Sequence, residues 1–350
     1  MKLPDFPWDL LSPYGDKAKT YSAGFIDLSQ GTPVDATPKF IQDAFIAAAD
    51  SPSYPLTIGT PELRTAMRNW ATNKLGATGE FDVLPTIGSK EFVAWLPTFL
   101  QSKSVLFPEV AYPTYLVGSM ISGATAQAVG INANAWPKAE LAWINSPSNP
   151  TGQVQSEAEL AAVINWSRQN DAIVASDECY ISFAKAAKSI LSVANGDNTN
   201  LISVHSLSKR SNLAGYRAAF IVGDSKLIAQ IREVRKHAGM MVPLPVQKAM
   251  VAALSDETHV SEQENRYNLR RATLNAALEK AGFKIEFSEA GLYIWCTRDE
   301  DCWSTVDWFA DRGVLVTPGV FYGEQGSKFV RIALTATDEN IGKTADRILN

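Results

Sequence analysis

Leu201-Ile-Ser-Val-His205-Ser206-Leu-Ser208-Lys209-Arg210-Ser-Asn-Leu-Ala-Gly215-Tyr-Arg217-Ala218-Ala-Phe-Ile-Val-Gly223 sets one lysine between two apolar runs. Both runs read as strands, and a glycine-bearing turn joins them. Lys209 is therefore held on short backbone at a strand end. An amine there can form a Schiff base with a carbonyl compound, a standard form of covalent catalysis. Ser206, Ser208 and Arg217 add two hydroxyls and a guanidinium, which matches phosphate oxygens bidentately. The plain alternative is a solvated Lys-Arg pair in a loop. The rest of the chain argues against it.

Upstream, two more apolar runs end in polar loops. Leu141-Ala-Trp-Ile-Asn145 leads into Ser146-Pro-Ser-Asn149-Pro-Thr-Gly152, and Ala172-Ile-Val-Ala175 into Ser176-Asp177-Glu178-Cys179-Tyr180. Loops at the carboxyl ends of strands are where open α/β sheets bind ligands. Leu84-Pro-Thr-Ile-Gly88 precedes Ser89, which caps a helix through Phe92, Trp95, Leu96 and Phe99. Backbone N–H groups at such a helix start, around Gly88, Ser89 and Lys90, suit a phosphate.

Helix signals fill the intervals. Thr37-Pro38 and Thr60-Pro61 are each a cap followed by proline. Leu63, Met67 and Trp70 share a helix face that ends near Gly76. Ser156 and Glu159 make a capping box. Asp224 caps a basic helix over 225–237. A long helix runs from about 257 to 280, with Arg266, Arg270 and Arg271 mostly on a solvated face. Strands follow at 283–287, 291–297, 314–317 and 328–334, with a helix over 302–311. The alternation from 84 to 240 predicts an α/β fold with a mostly parallel sheet covered on both faces. The division expected is an arm over 1–35, a large domain over 36–244 and a smaller α+β domain over 245–350.

These motifs resemble the class I/II, fold-type I, PLP (pyridoxal 5′-phosphate)-dependent aminotransferases over nearly the whole chain. The carriers are Ser206/Ser208/Lys209/Arg217, the Asn145-to-Gly152 loop, and the pair Asp177/Tyr180, 28 residues after Asn149 and 32 before Lys209. The resemblance implies a seven-stranded sheet between helices. It implies that Lys209 bonds PLP and that Asp177 holds the pyridine nitrogen protonated. Tyr180 and Asn149 would bond the cofactor's phenolic oxygen, and Tyr112 would stack on its ring. Gly88, Ser89, Lys90, Ser206, Ser208 and Arg217 would hold its phosphate. Gly31 and Arg331, the latter in Lys328-Phe-Val-Arg-Ile-Ala-Leu334, would meet the substrate carboxylate, and Asn149 would contact the substrate as well. Tyr54 would reach the cofactor of the partner subunit, so a homodimer with shared sites is expected.

The narrower likeness, through Pro85-Thr-Ile-Gly-Ser-Lys-Glu91, Ala111-Tyr-Pro-Thr-Tyr115 and 208–217, is to actinobacterial N-succinyldiaminopimelate aminotransferases. It implies transfer between glutamate/2-oxoglutarate and N-succinyl-2-amino-6-oxopimelate in lysine and diaminopimelate biosynthesis. Aminotransferases for other amino acids and C–S lyases share the scaffold. A PLP-sensing regulator would need a basic DNA-binding segment, which residues 1–35 do not contain.

Composition agrees with an ordinary globular enzyme. The 350 residues are 46% hydrophobic and 20% charged, with a net charge of -5. Nothing marks a nucleic-acid footprint. Three cysteines without CxxC spacing and three scattered histidines argue against disulfides and a metal site. No run is long and apolar enough for a membrane span, and the first residues carry no signal-peptide core. A cytoplasmic protein is expected.

Overall fold

The computed structural model describes residues 3–4 and 7–350; residues 1–2 and 5–6 of the expected arm lie outside the described residues. Seven strands form the main sheet: β1 Asp82–Ile87, β2 Ser104–Pro108, β3 Thr125–Val129, β4 Leu141–Asn145, β5 Ile173–Asp177, β6 Leu201–Ser206 and β7 Ala218–Gly223. Their order is β1-β7-β6-β5-β4-β2-β3. Only β7 runs against its neighbours.

Successive side chains on these strands enter two different cores. Ala142 and Ile144 of β4 pack with Leu63, Met67, Leu160 and Val163 from helices on one face. Leu141 and Trp143 pack with Phe92, Leu96, Tyr115 and Ile228 from helices on the other. A strand buried on both faces has few polar positions to alternate, which is why β4 and β7 read as near-continuous apolar runs, while β6 buries Ser203 and His205 as a pair 2.9 Å apart.

A second body of packing surrounds a four-stranded antiparallel sheet of β8 Lys284–Ile285, β9 Tyr293–Thr297, β10 Thr317–Pro318 and β11 Phe329–Ala333, in the order β10-β11-β9-β8. Ile26–Asp27 pairs in parallel with Val314–Leu315, and Lys17 reaches Asp307 at 2.7 Å. The helix Leu244–Leu254 packs with the first core, through Val246, Ala249 and Met250. The expected boundary at 244/245 therefore falls ahead of a helix that shares the large sheet's core.

Several local expectations are corrected. Thr37 does not cap the helix Lys39–Ala47; Pro38 is its N-cap, and the Thr37 hydroxyl donates to the Asn212 carbonyl instead, at 2.8 Å. Ser89 is the first helical residue of Ser89–Phe99, and Gly88 is the cap, at φ 78°. In contrast, Thr60, Ser156 and Asp224 cap as expected. In the helix Thr258–Lys280 only Arg266 of the three arginines is exposed; Arg270 and Arg271 are buried. Arg270 holds Asp35 at 2.7 Å and Asp338 at 2.6 Å, and Arg271 donates to the Gly291 carbonyl. Helical period alone cannot foresee this, because the pairing carboxylates come from distant segments. The stretch 283–287 is extended only over Lys284–Ile285, and 314–317 splits into two short strands.

Candidate active site

The parallel register brings three strand ends side by side. Asn145 of β4 lies opposite Asp177 of β5, which lies opposite Val204 of β6. Asn145 knits the ends together: its Nδ2 donates to the Asp177 carbonyl at 2.8 Å, and its Oδ1 accepts from the Asn149 amide at 2.7 Å. Immediately after β6, Ser206 accepts from the Ser208 amide at 3.1 Å and so starts the single helical turn Leu207–Arg210. That turn sends its two basic residues to different places. Arg210 is buried against Trp70 and pairs with Glu257 at 2.8 Å. Lys209 points into a cavity of about 640 Å³.

Gly31, Ser89, Lys90, Tyr112, Asn149, Asp177, Tyr180, Ser206, Ser208, Arg217 and Arg331 line that cavity with Lys209. Gly88 belongs to its wall too, because a Cβ there would lie 2.2 Å from Arg217 Nη2. Tyr54 is not brought to it: the side chain is 93% exposed on the surface of this chain.

Lys209 Nζ donates to the Gly31 carbonyl. Burial, reinforced by the positive charges of Arg331 and Arg217, lowers its pKa from the usual lysine value, against a smaller opposing effect of Tyr293. Asp177 accepts from Tyr115 Oη at 2.8 Å and from the Cys179 amide at 3.2 Å. Burial nevertheless raises its pKa, because neutral donors only partly replace water around a carboxylate. Tyr180 Oη lies 3.2 Å from Tyr293 Oη, and burial pushes the Tyr180 hydroxyl well above its ordinary value. Arg331 donates to Asn149 Oδ1 at 3.0 Å and to the Ser29 carbonyl at 2.5 Å. Its guanidinium lies 4.1 Å from the Tyr293 ring centre, and its Nε has no hydrogen-bond partner.

Sequence reasoning passed over Tyr115, Tyr293 and Asn145. Tyr115 follows Tyr112 by one helical step and stacks on Trp143 with ring centres 5.0 Å apart. Tyr293 sits diagonally across the β9–β11 ladder from Arg331, on the same face, since Trp295 is directly opposite that arginine. The alternation of β9 could have flagged it; Asn145 ends an apolar run and opens the loop motif, but nothing local in the sequence gives its side chain a role.

Residues 23–348 match the family described as aminotransferase class I and II. The chain belongs to the class I and II aminotransferases. Among its relatives, the 4-dedimethylamino-4-oxo-anhydrotetracycline transaminase OxyQ of Streptomyces rimosus is 48% identical over 99% of each chain. An LL-diaminopimelate aminotransferase of Dehalococcoides mccartyi is 33% identical over 91% of this chain and 89% of its own. Among solved structures, a probable N-succinyldiaminopimelate aminotransferase of Thermus thermophilus superposes with a TM-score of 0.89 at 25% identity, covering 98% of this chain and 99% of that one. The fold is that of the fold-type I aminotransferases, and the activity class is transamination.

Class I/II aminotransferases use PLP, and the cavity has the donor set for it. Asp177 is a buried carboxylate with neutral donors alone, so a protonated ring nitrogen would supply the missing counter-charge. Arg217, the two serine hydroxyls and the start of Ser89–Phe99 converge as an anion cradle, and the Gly88 contact shows how closely it is drawn. Lys209 is within the same cavity, with its amine pKa lowered by burial. Among the described residues no helix is long and apolar enough to cross a membrane.

Proposed function

We propose that this aminotransferase moves an amino group between glutamate/2-oxoglutarate and N-succinyl-2-amino-6-oxopimelate. The observation that carries the reading is Arg331, a buried guanidinium inside the cavity, braced by Asn149 and Ser29 and flanked by Tyr293. Such a group binds an α-carboxylate, and its planar fork fixes the orientation. Lys90 lines the same cavity and is exposed, so it can meet a distal anionic group. The diaminopimelate names among the relatives support this class of substrate.

The division of labour follows from the chain's own side chains. When bound, PLP supplies an electron sink for negative charge at the substrate α-carbon. Lys209 Nζ would remove the proton from the donor's α-carbon in one half-reaction and deliver a proton to the acceptor-derived carbon in the other. Asp177 keeps the ring nitrogen protonated. Tyr180 and the Asn149 side chain would bond the phenolic oxygen, and the Tyr293 hydroxyl, 3.2 Å from that of Tyr180, would orient it. Arg331 fixes the carboxylate, and Ser206, Ser208, Arg217 and the Gly88–Lys90 backbone hold the phosphate. Tyr112 covers the ring.

Assembly belongs to the same proposal. Ile46, Tyr54 and Leu56 are exposed by 63%, 93% and 65%. Large apolar side chains so exposed, close together in the chain, suit an interface, and a homodimer would bring Tyr54 to the partner's cavity. Three free cysteines fit a cytoplasmic location.

A second reading is favoured by one observation. OxyQ matches at 48% over the full length, and Val93, Ala94, Pro113, Val117 and Ile121 give the cavity an apolar wall that could take a fused ring ketone. Glutamate-driven turnover of a panel of acceptors decides between them. The proposal expects the succinylated oxo-acid to have the highest kcat/KM. A polycyclic, aromatic or branched-chain acceptor outrunning it would remove the lysine-pathway assignment and leave the aminotransferase. Production of pyruvate and a thiol from cysteine conjugates, without acceptor turnover, would favour the lyase.

A further inference from the structure

A second cavity of about 460 Å³ backs onto the loop that carries Asn149. Asn145, Ser148 and Thr151 face it, while Asn149 of the same loop faces the catalytic cavity. Its walls come from both cores. Glu109, Trp136 and Gln155 belong to the large-sheet side; Glu286, Phe287, Trp295 and Phe329 belong to the second. The two sides are tied where the Ser288 amide donates to the Thr151 carbonyl at 2.9 Å. Phe287 and Ser288 both have positive φ, 55° and 63°, a strained conformation for a bulky residue and its neighbour.

The chemistry of the lining is opposite to that of the catalytic cavity. That cavity has Lys90, Lys209, Arg217 and Arg331 against the single carboxylate of Asp177. The second has Glu109 and Glu286 and, among the described residues, no lysine, arginine or histidine. Lys284, the basic residue nearest along the chain to Glu286, is paired directly with Asp299 and feels the Glu286 charge only as a weaker effect. Trp295 and Phe329 stack nearly flat, 5.1 Å between centres with 5° between planes, and offer an extended aromatic wall. Phe287 is 47% exposed beside it. Gln155, more than nine-tenths buried, lines the cavity with its Oε1 left without a hydrogen-bond partner. Aromatic faces and carboxylates both attract a cation.

We infer that this cavity is a binding site for a small organic cation, an ammonium on an aromatic or aliphatic body, distinct from the catalytic cavity. The site does not depend on which acceptor the enzyme uses. Its occupant would bridge the two cores and press on the loop that presents Asn149.

Benzyltrimethylammonium is the probe, because a quaternary nitrogen has no proton to lose and cannot condense with a carbonyl. Isothermal titration of the PLP-loaded enzyme should show saturable binding of one probe per chain, weakened by added salt. Glu109 and Glu286 are both exposed, so Glu109→Gln/Glu286→Gln should fold normally and bind about tenfold more weakly, as expected for two partly screened charge contacts. Phe287→Ala should weaken binding independently of the carboxylates. Saturating glutamate should not displace the probe. Absence of saturable binding, unchanged affinity in both variants, or displacement by glutamate would each overturn the assignment.

Discussion

Lys209 and Glu178 show how one environment can set two chemistries. Lys209 is desolvated beside two guanidiniums, so its pKa lies below the usual lysine value. Lys209→Ala should lower transamination by at least about 10²–10⁴-fold, the usual weight of a positioned proton-transfer group. The phosphate cradle is untouched by this change, so PLP should still co-elute with the variant in gel filtration. Near-normal turnover would remove the central assignment.

Glu178, next to Asp177, is buried with Oε1 accepting from Ser176 Oγ and the Ile190 amide, each at 2.9 Å. Its Oε2 lies 3.8 Å from His205 Nε2. That distance could suggest an ion pair, but burial pushes Glu178 up to about 7 and His205 down to about 3. Two desolvated groups without further counter-charge are better described as a neutral pair. The sign for Glu178 follows from a folded value above its ordinary 4.5. Its contribution to stability is fully present below 4.5 and is lost as pH rises through about 7. Denaturant midpoints should therefore carry a downward slope over that window, up to about 1.4 kcal/mol per pH unit. Glu178→Gln should remove it. An unchanged slope in the glutamine variant would show that the carboxyl is already ionised.

Among the elements, the junction between strand β1 and helix Ser89–Phe99 is the tightest part of the anion cradle. Gly88 combines φ 78° with a contact that leaves no room for a Cβ. Gly88→Ala, at φ 78° and ψ 155°, should add about 1–3 kcal/mol of backbone strain and push Arg217 outward. PLP should dissociate roughly tenfold more readily, as followed by loss of cofactor absorbance on dilution. Retention equal to the parent would mean that Gly88 does not shape the cradle.

The helix Thr258–Lys280 depends on Arg270, which draws together the arm through Asp35 and the last helix through Asp338. Asp35 is held below the ordinary carboxylate range by hydrogen bonds from Arg270 and Gln263, although its burial acts the other way. Arg270→Ala leaves that carboxylate largely buried without its partner, at a cost of about 3 kcal/mol or more in unfolding free energy. Chemical denaturation measures it directly. A loss below about 1 kcal/mol would make the contact an ordinary surface pair.

Across the whole molecule, the cavity that holds Lys209 is built where the two cores meet. Asn149, Asp177 and Lys209 come from the ends of parallel strands, and Gly31, Tyr293 and Arg331 from the other side. Tyr54 is far too exposed to serve the cavity of its own chain. Sedimentation should report a dimer at working concentrations, and Tyr54→Phe should loosen PLP without changing the sedimentation coefficient. A fully active monomer would separate Tyr54 from the site.

What the sequence alone determined is the set of strand-end groups. Lys209, Asp177 and Asn149 were legible because each ends an apolar run or follows one by a few residues, and Arg217 because it directly precedes one; short backbone leaves little freedom in where such a side chain emerges. The two-sided burial of the sheet was legible for the same reason, from runs with no polar alternation. Tertiary structure alone decided which arginines are solvated: Arg270 lies on a helix whose local pattern is polar, yet its partner Asp35 is 235 residues away. It also decided that Asn145 staples two strand ends, that Tyr293 lies beneath Arg331, and that Thr37 bonds to a distant carbonyl instead of its own helix. Local backbone geometry is encoded within a few residues, whereas a buried charge or hydroxyl takes whatever partner the packing of remote segments brings within hydrogen-bond reach.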